Sequence, residues 1–93
     1  MPHWKKDLSH RARVNEMRTL GLDVIDTSWS RGKLLDCIVR HRGTGRAMYV
    51  EIKNSSKGKL TPDETAFINA RPEACRVVAS QADALALWAE LRK

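Results

Sequence analysis

Three ionisable residues stand where chemistry is possible. Glu51-Ile52-Lys53 closes one apolar stretch, and Asp36 lies in another, between Leu35 and Cys37. Residues two apart in a strand share a face. Glu51 and Lys53 then point one way, and Val50 and Ile52 point the other, into a core. An acid inside an apolar strand is costly unless it is paired, solvated or bound to a cation. If the two stretches form a hairpin, Asp36 and Glu51 face one side and converge. Two close carboxylates repel, and a divalent cation relieves the repulsion. A hard ion such as Mg²⁺ would take oxygens from Asp36, Glu51 and a neighbouring backbone carbonyl, that of Ile52. Waters and a phosphate oxygen would fill its other positions. Lys53 beside it would hold or activate an attacking water and steady the charge of a phosphorane-like transition state. Two acids, a lysine and an open metal position suit phosphodiester hydrolysis. Taken alone, Glu-x-Lys also describes an ordinary solvated pair on an exposed strand face.

Positioning those residues takes a sheet, and the pattern supplies one. Lys6 to Leu20 reads as a helix, with Leu8, Ala12, Val14, Met17 and Leu20 at three- and four-residue steps and Gly21 as its stop. Leu22–Asp26 reads as a strand, Thr27–Lys33 as a polar loop, Leu34–Arg40 as a second strand and Ala47–Lys53 as a third. The turn between the last two is rich in Gly and Arg and predicts an antiparallel hairpin. Thr61 is an N-cap, with Pro62 first in the helix and Glu64 as a capping-box acid, and Pro72 bounds the end near Ala70. Cys75–Ala79 is a fourth strand. Ser80 caps a last helix to about Leu91, with Ala82, Leu85, Trp88 and Ala89 on one face. Phe67 and Trp88 read as core. The order is α-β-β-β-α-β-α, a small α/β sandwich with a mixed sheet.

The chain has 93 residues, enough for one domain over 1–93, with a flexible start over 1–5 expected. Lys and Arg number 17 against 11 Asp and Glu, a net charge of +6. The balance favours an anionic partner, nucleic acid first and an acidic membrane surface second. No apolar run reaches the ~18–20 residues of a membrane span, and no apolar signal-type segment follows the N-terminus. Cys37 and Cys75 read as buried free thiols in a reducing compartment. His3, His10 and His41 lie in basic stretches without zinc-ligand spacing.

With those residues in place, the stretch from Gly21 to Leu91 resembles the PD-(D/E)xK nuclease superfamily. It is most similar to small stand-alone members of the virus-type replication-repair nuclease group and to Holliday-junction resolvases. The matching text is Gly21–Ser28, Leu35-Asp36, Val50-Glu51-Ile52-Lys53, Lys59–Glu64 with Phe67, and Val77-Val78-x-Ser80-x-x-Asp83-Ala84-Leu85. The resemblance implies a restriction-endonuclease-like core with a mixed sheet flanked by helices. It implies Asp36 and Glu51 as metal-binding acids for Mg²⁺ or Mn²⁺ and Lys53 as the catalytic lysine. Glu64 falls where relatives often have a glutamine; it could orient Lys53 or the water, or be the capping acid only. Relatives often carry a glutamate on the first helix that faces the metal. Ala12 occupies the aligned position, and Glu16, one turn later on the same helix face, could substitute. Leu35 stands where relatives commonly have proline, which shapes the strand entry but ligates nothing.

The resemblance further implies a metal-dependent DNA endonuclease that cuts branched or junction DNA as a homodimer, in the cytoplasm of a bacterial or phage-infected cell. A non-catalytic nucleic-acid-binding module on the same fold is the alternative. Arg31 and Lys33 before Asp36, and Lys57 and Lys59 after Lys53, border the site and could grip phosphates, or be solvated loop charge. Arg11, Arg13 and Arg18 offer a second basic patch. Trp29 could stack on a base or wedge into a junction, or cover a core edge or a dimer interface.

Overall fold

The structure, a computed structural model, describes residues 3–31, 33–54 and 58–93, with side chains in α1 from His10 onward. Seven principal elements follow the expected order: α1 (His3–Thr19), β1 (Leu22–Asp26), β2 (Cys37–His41), β3 (Ala47–Ile52), α2 (Pro62–Ala70), β4 (Cys75–Val78) and α3 (Gln81–Leu91). The strands form one mixed sheet in the order β1-β2-β3-β4. The pairs β1–β2 and β2–β3 are antiparallel, and β3–β4 is parallel. A parallel pair needs a crossover, and α2 is that crossover.

Strand alternation divides the sheet into two unlike faces. The register sets Val24 beside Val39, Val39 beside Met48, and Cys37 beside Val50. This face meets α1 and α3, where Val14, Met17, Ala84, Leu87 and Leu91 complete the core. The opposite face carries Tyr49, Glu51 and Val77, and α2 covers part of it. Tyr49 meets the Phe67 ring edge-on at 5.1 Å. Among the described residues no helix is long and apolar enough to cross a membrane.

Local chemistry accounts for the boundaries. Gly21 adopts φ +88°, and its N–H donates to Arg18 O, ending α1. The Thr61 hydroxyl accepts the Glu64 N–H at 3.1 Å, and Glu64 Oε1 accepts the Thr61 N–H at 2.8 Å, a complete capping box. Ser80 Oγ accepts the Asp83 N–H at 3.1 Å, and Asp83 Oδ2 accepts the Ala79 N–H at 2.9 Å.

Four expectations need correction. First, α1 begins at His3 rather than near Lys6, so residues 3–5 are helical backbone. Second, β2 begins at Cys37 rather than Leu34, and Asp36 precedes it. The Thr27 N–H donates to Asp36 O at 2.9 Å and its hydroxyl to Leu35 O at 2.5 Å, while Ser30 Oγ accepts the Leu34 N–H at 3.1 Å. Those bonds close residues 27–36 into a loop around a short 3₁₀ turn, Ser28–Ser30. Third, α3 buries Ala84, Leu87 and Leu91, while Ala82 and Leu85 are exposed. That helix is apolar on several sides, so its periodicity does not single out one face. Trp88 packs half-buried against the core. Fourth, Phe67 is half-buried on the α2 side of the sheet, between Tyr49 and the Arg71 guanidinium, outside the main core.

Candidate active site

Ionisable side chains from three elements meet where β3 finishes, β2 starts and α2 is capped. Extending the Cys37–Val50 pairing by one residue places Asp36 across from Glu51. Asp36 Oδ2 accepts the Ile52 N–H at 2.9 Å, which pins the carboxylate against the end of β3. Glu51 lies on the central part of the sheet, between β2 and β4, and only 3% of it is exposed. It is therefore not half of a solvated surface pair. Lys53 Nζ stands 3.4 Å from Glu51 Oε2 and 2.8 Å from Glu64 Oε1. Glu64 therefore contacts both the lysine and the start of α2. The same carboxylate oxygen caps α2 and holds the lysine.

The electrostatics follow from burial and crowding. Burial pushes the Glu51 pKa up to about 9, and a hydrogen bond with Glu64 and the charge of Asp36 add to it. Burial also acts on Glu64, but hydrogen bonds from Glu51, Lys53 and the Thr61 amide outweigh it and bring its pKa down to about 2. The two carboxyls titrate as one system, Glu51 pushed up and Glu64 drawn down. Burial opposes the Lys53 ammonium, yet the Glu64 hydrogen bond and the Glu51 charge raise its pKa above the ordinary lysine value.

The donor set fits a hard divalent cation. Asp36 and Glu51 offer carboxylate oxygens, and a carboxylate has about four lone-pair sites, so the Ile52 bond leaves Asp36 further acceptor capacity. The buried Glu51 carboxyl resists ionisation in the bare protein, which is the condition a cation relieves. Among the described residues no group of three His, Cys, Asp or Glu side chains is placed to hold an ion. Two carboxylates suffice for Mg²⁺, which keeps waters and takes substrate phosphate oxygens.

Other expected site residues are placed differently. Glu16 is held by Arg13 at 2.7 Å and lines a recess beside Gln81 and Leu85 of α3. It sits on the α1–α3 side of the sheet, whereas Glu51 faces α2, so the structure does not bring it to the carboxylate pair. Arg13 also reaches Ala79 O at 3.4 Å. Arg31, Lys33 and Trp29 lie on the loop that closes onto Asp36, and Lys59 is exposed ahead of the α2 cap. Lys57 lies outside the described residues. Cys37 and Cys75 are buried free thiols, as expected, and burial pushes Cys37 up to about 12. His41 Nδ1 accepts the Gly43 and Thr44 N–H groups at 3.0 and 3.1 Å and so shapes the β2–β3 turn.

The sequence left one feature unseen. The Ile52 amide acts on Asp36 through its N–H, a backbone contact that no side-chain pattern announces. The chain matches no protein-family model, no curated protein and no solved structure.

Proposed function

We propose that this chain is a metal-dependent endodeoxyribonuclease, specific for branched or junction DNA. The reading rests on one observation. A buried glutamate, Glu51, has a lysine ammonium 3.4 Å away and stands across from an aspartate pinned by the next residue's amide. Folding gains nothing from burying such a group, since a buried charge destabilises the fold unless it is fully paired. The αβββαβα order resembles that of the PD-(D/E)xK nucleases and agrees with this reading.

Asp36 and Glu51 would hold Mg²⁺ or Mn²⁺. When bound, such a cation polarises a phosphoryl oxygen and lowers the pKa of water. Lys53, 3.4 Å from Glu51 and 2.8 Å from Glu64, would hold or activate the attacking water and steady the negative charge that grows on the phosphate. Glu64 orients Lys53 through the 2.8 Å bond, and the α2 capping box fixes Glu64 in turn. The basic loop residues Arg31, Lys33 and Lys59 would take neighbouring phosphates.

The test is cleavage of labelled four-way junction, flap, duplex and single-stranded DNA with Mg²⁺, Mn²⁺ or EDTA. Cutting should require the cation. Lys53→Ala should keep DNA binding and lose about 10²–10⁴-fold in rate, the usual worth of one positioned electrostatic or proton-transfer group. Tight binding without cutting under either metal would overturn the nuclease reading. It would leave the second one, a non-catalytic nucleic-acid-binding module. One observation favours that alternative: Glu16 is engaged by Arg13 and adds no third acid to the pair.

A further inference from the structure

Trp29 and Ser30 occupy the reverse of the surroundings their types favour. The indole is 73% exposed, while Ser30 is buried and Thr27 is almost fully so. A large aromatic in solvent contributes nothing to the core, yet the loop that carries it is tightly framed. The Thr27 amide bonds Asp36 O at 2.9 Å, the Ser30 amide bonds Thr27 O at 3.0 Å, and the Ser28 amide bonds Asp26 Oδ1 at 3.0 Å. Arg31 takes the left-handed conformation, φ 55° and ψ 48°, which residues other than glycine seldom adopt. These constraints hold the indole outward rather than letting it fold back.

The chemistry left open on that indole is narrow. Its N–H already donates to Asp26 O at 3.0 Å, so a partner meets carbon ring surface and no donor. Trp29, Arg31 and Lys33 line one recess of about 430 Å³, together with Ser30 and Leu34. Two cations and a π-face, with no acid among the described lining residues, suit a ligand that is both planar and anionic. A nucleotide is such a ligand, and stacking on an aromatic tolerates any base. In a continuous duplex the base faces are hidden in the stack, so only an unpaired or extruded base can offer one. The loop starts and ends on the Thr27–Asp36 bond, so the segment that lines the recess leads directly into Asp36.

The geometry points to a stacking ledge: Trp29 takes the face of an unpaired DNA base, and Arg31 and Lys33 take its flanking phosphates. The inference rests on the nuclease reading only for the neighbouring scissile phosphate. It narrows the substrate to DNA with unpaired nucleotides beside the cut, as at a junction, a flap or a single strand.

Binding in EDTA tests the ledge without any cutting. The probes are a labelled oligothymidine carrying one 2-aminopurine and a duplex of equal length, read by anisotropy and by quenching of the 2-aminopurine. Trp29→Ala should weaken oligothymidine binding by about 5- to 150-fold, the worth of one base–aromatic stack, and abolish the quenching. Trp29→Phe keeps a ring face but loses the N–H, and should stay within about threefold if the ring face is what binds. Duplex affinity should be unchanged in both. Removing Arg31 and Lys33 together should lower the salt slope for the single strand by about 1.4. Unchanged oligothymidine binding in Trp29→Ala, or an equal loss for duplex and single strand, overturns the ledge. A loss in Trp29→Phe as large as in Trp29→Ala also overturns it, because the N–H anchor and not the ring would then be responsible. Loss of stacking in a protein that cuts no DNA keeps the ledge and removes the nuclease. Cation-dependent cutting of single strands that Trp29→Ala leaves unchanged keeps the nuclease and removes the ledge.

Discussion

Glu51→Gln should make the metal-free protein more stable at neutral pH, although it removes a partner of Lys53. The amide has the shape of the carboxyl, and Lys53 keeps its closer contact, Glu64 at 2.8 Å. The sign follows from proton counting. The Glu51 pKa is raised to about 9, mainly by burial and then by Glu64 and Asp36. Below the ordinary carboxylate pKa both states hold the proton. Above it the unfolded chain releases the proton and the folded chain keeps it, so stability falls as pH rises, until the folded pKa is passed. The slope is about 1.4 kcal/mol per pH unit, so the wild type should lose roughly 3 kcal/mol between pH 5 and 7 that Glu51→Gln does not. Glu64 has the opposite sign. Its pKa is lowered to about 2, so its contribution is complete once the unfolded carboxyl has ionised and is constant over this range. Urea unfolding of both proteins in EDTA at several pH values measures the difference directly. Cation completes the test. At about ten times its Kd, Mn²⁺ should raise wild-type stability by roughly 1.4 kcal/mol and leave Glu51→Gln unmoved. Stabilities that run parallel from about pH 5 to 9 would refute the assignment of a proton to Glu51, whatever the metal does.

Two further variants test the frame around the site. Thr61→Ala removes the hydroxyl that accepts the Glu64 N–H, and should cost about 1 kcal/mol; a thermal melt should show it as a Tm loss of about 4–8 °C. Leu87→Ala should cost about 2–5 kcal/mol, whereas Leu85→Ala should change stability by less than about 0.5 kcal/mol, since Leu87 is buried and Leu85 is half exposed. Equal effects at Leu85 and Leu87 would mean that α3 presents a different face to the sheet.

The sequence was most legible where backbone chemistry is spelled out by side chains. Both capped helices begin at the expected residue, because Thr61 with Glu64 and Ser80 with Asp83 satisfy helix-end amides in a recognisable pattern. β1 spans the expected residues, and the hairpin register sets Asp36 and Glu51 across from each other as its geometry requires. Legibility failed where competing interactions decide. Leu34 and Leu35 look like strand residues, but the hydroxyls of Thr27 and Ser30 capture their backbone and leave Leu35 buried as a loop residue. The buried face of α3 is not legible, because Ala82, Leu85 and Trp88 recur at nearly the same spacing as the buried Ala84, Leu87 and Leu91. The placement of the Arg13–Glu16 pair depends on where α1 docks, with Arg13 also reaching Ala79 O. No local pattern carries that information.

The two ends of the sheet explain why the polar cluster stands where it does. One end closes on itself. The Thr44 hydroxyl donates to Leu91 O at 2.7 Å, Arg46 donates to Glu90 O at 3.2 Å, and His41 accepts two turn amides. Those bonds tie the β2–β3 turn to the end of α3. The other end gathers the termination of β3, the entry to β2 and the capped start of α2. On β3, Met48, Val50 and Ile52 are buried in the apolar core, while the opposite face runs from Ala47 through Tyr49 to Glu51. Polarity therefore rises along one face of one strand toward the end where Asp36 and Glu64 arrive from other elements. A leucine in place of Glu51 would satisfy packing on a central strand better than a carboxyl whose ionisation burial resists. Local rules that a sequence breaks against its own stability tend to mark functional sites. Here the broken rule falls on the one residue that has Asp36 across the sheet, Lys53 beside it and Glu64 above.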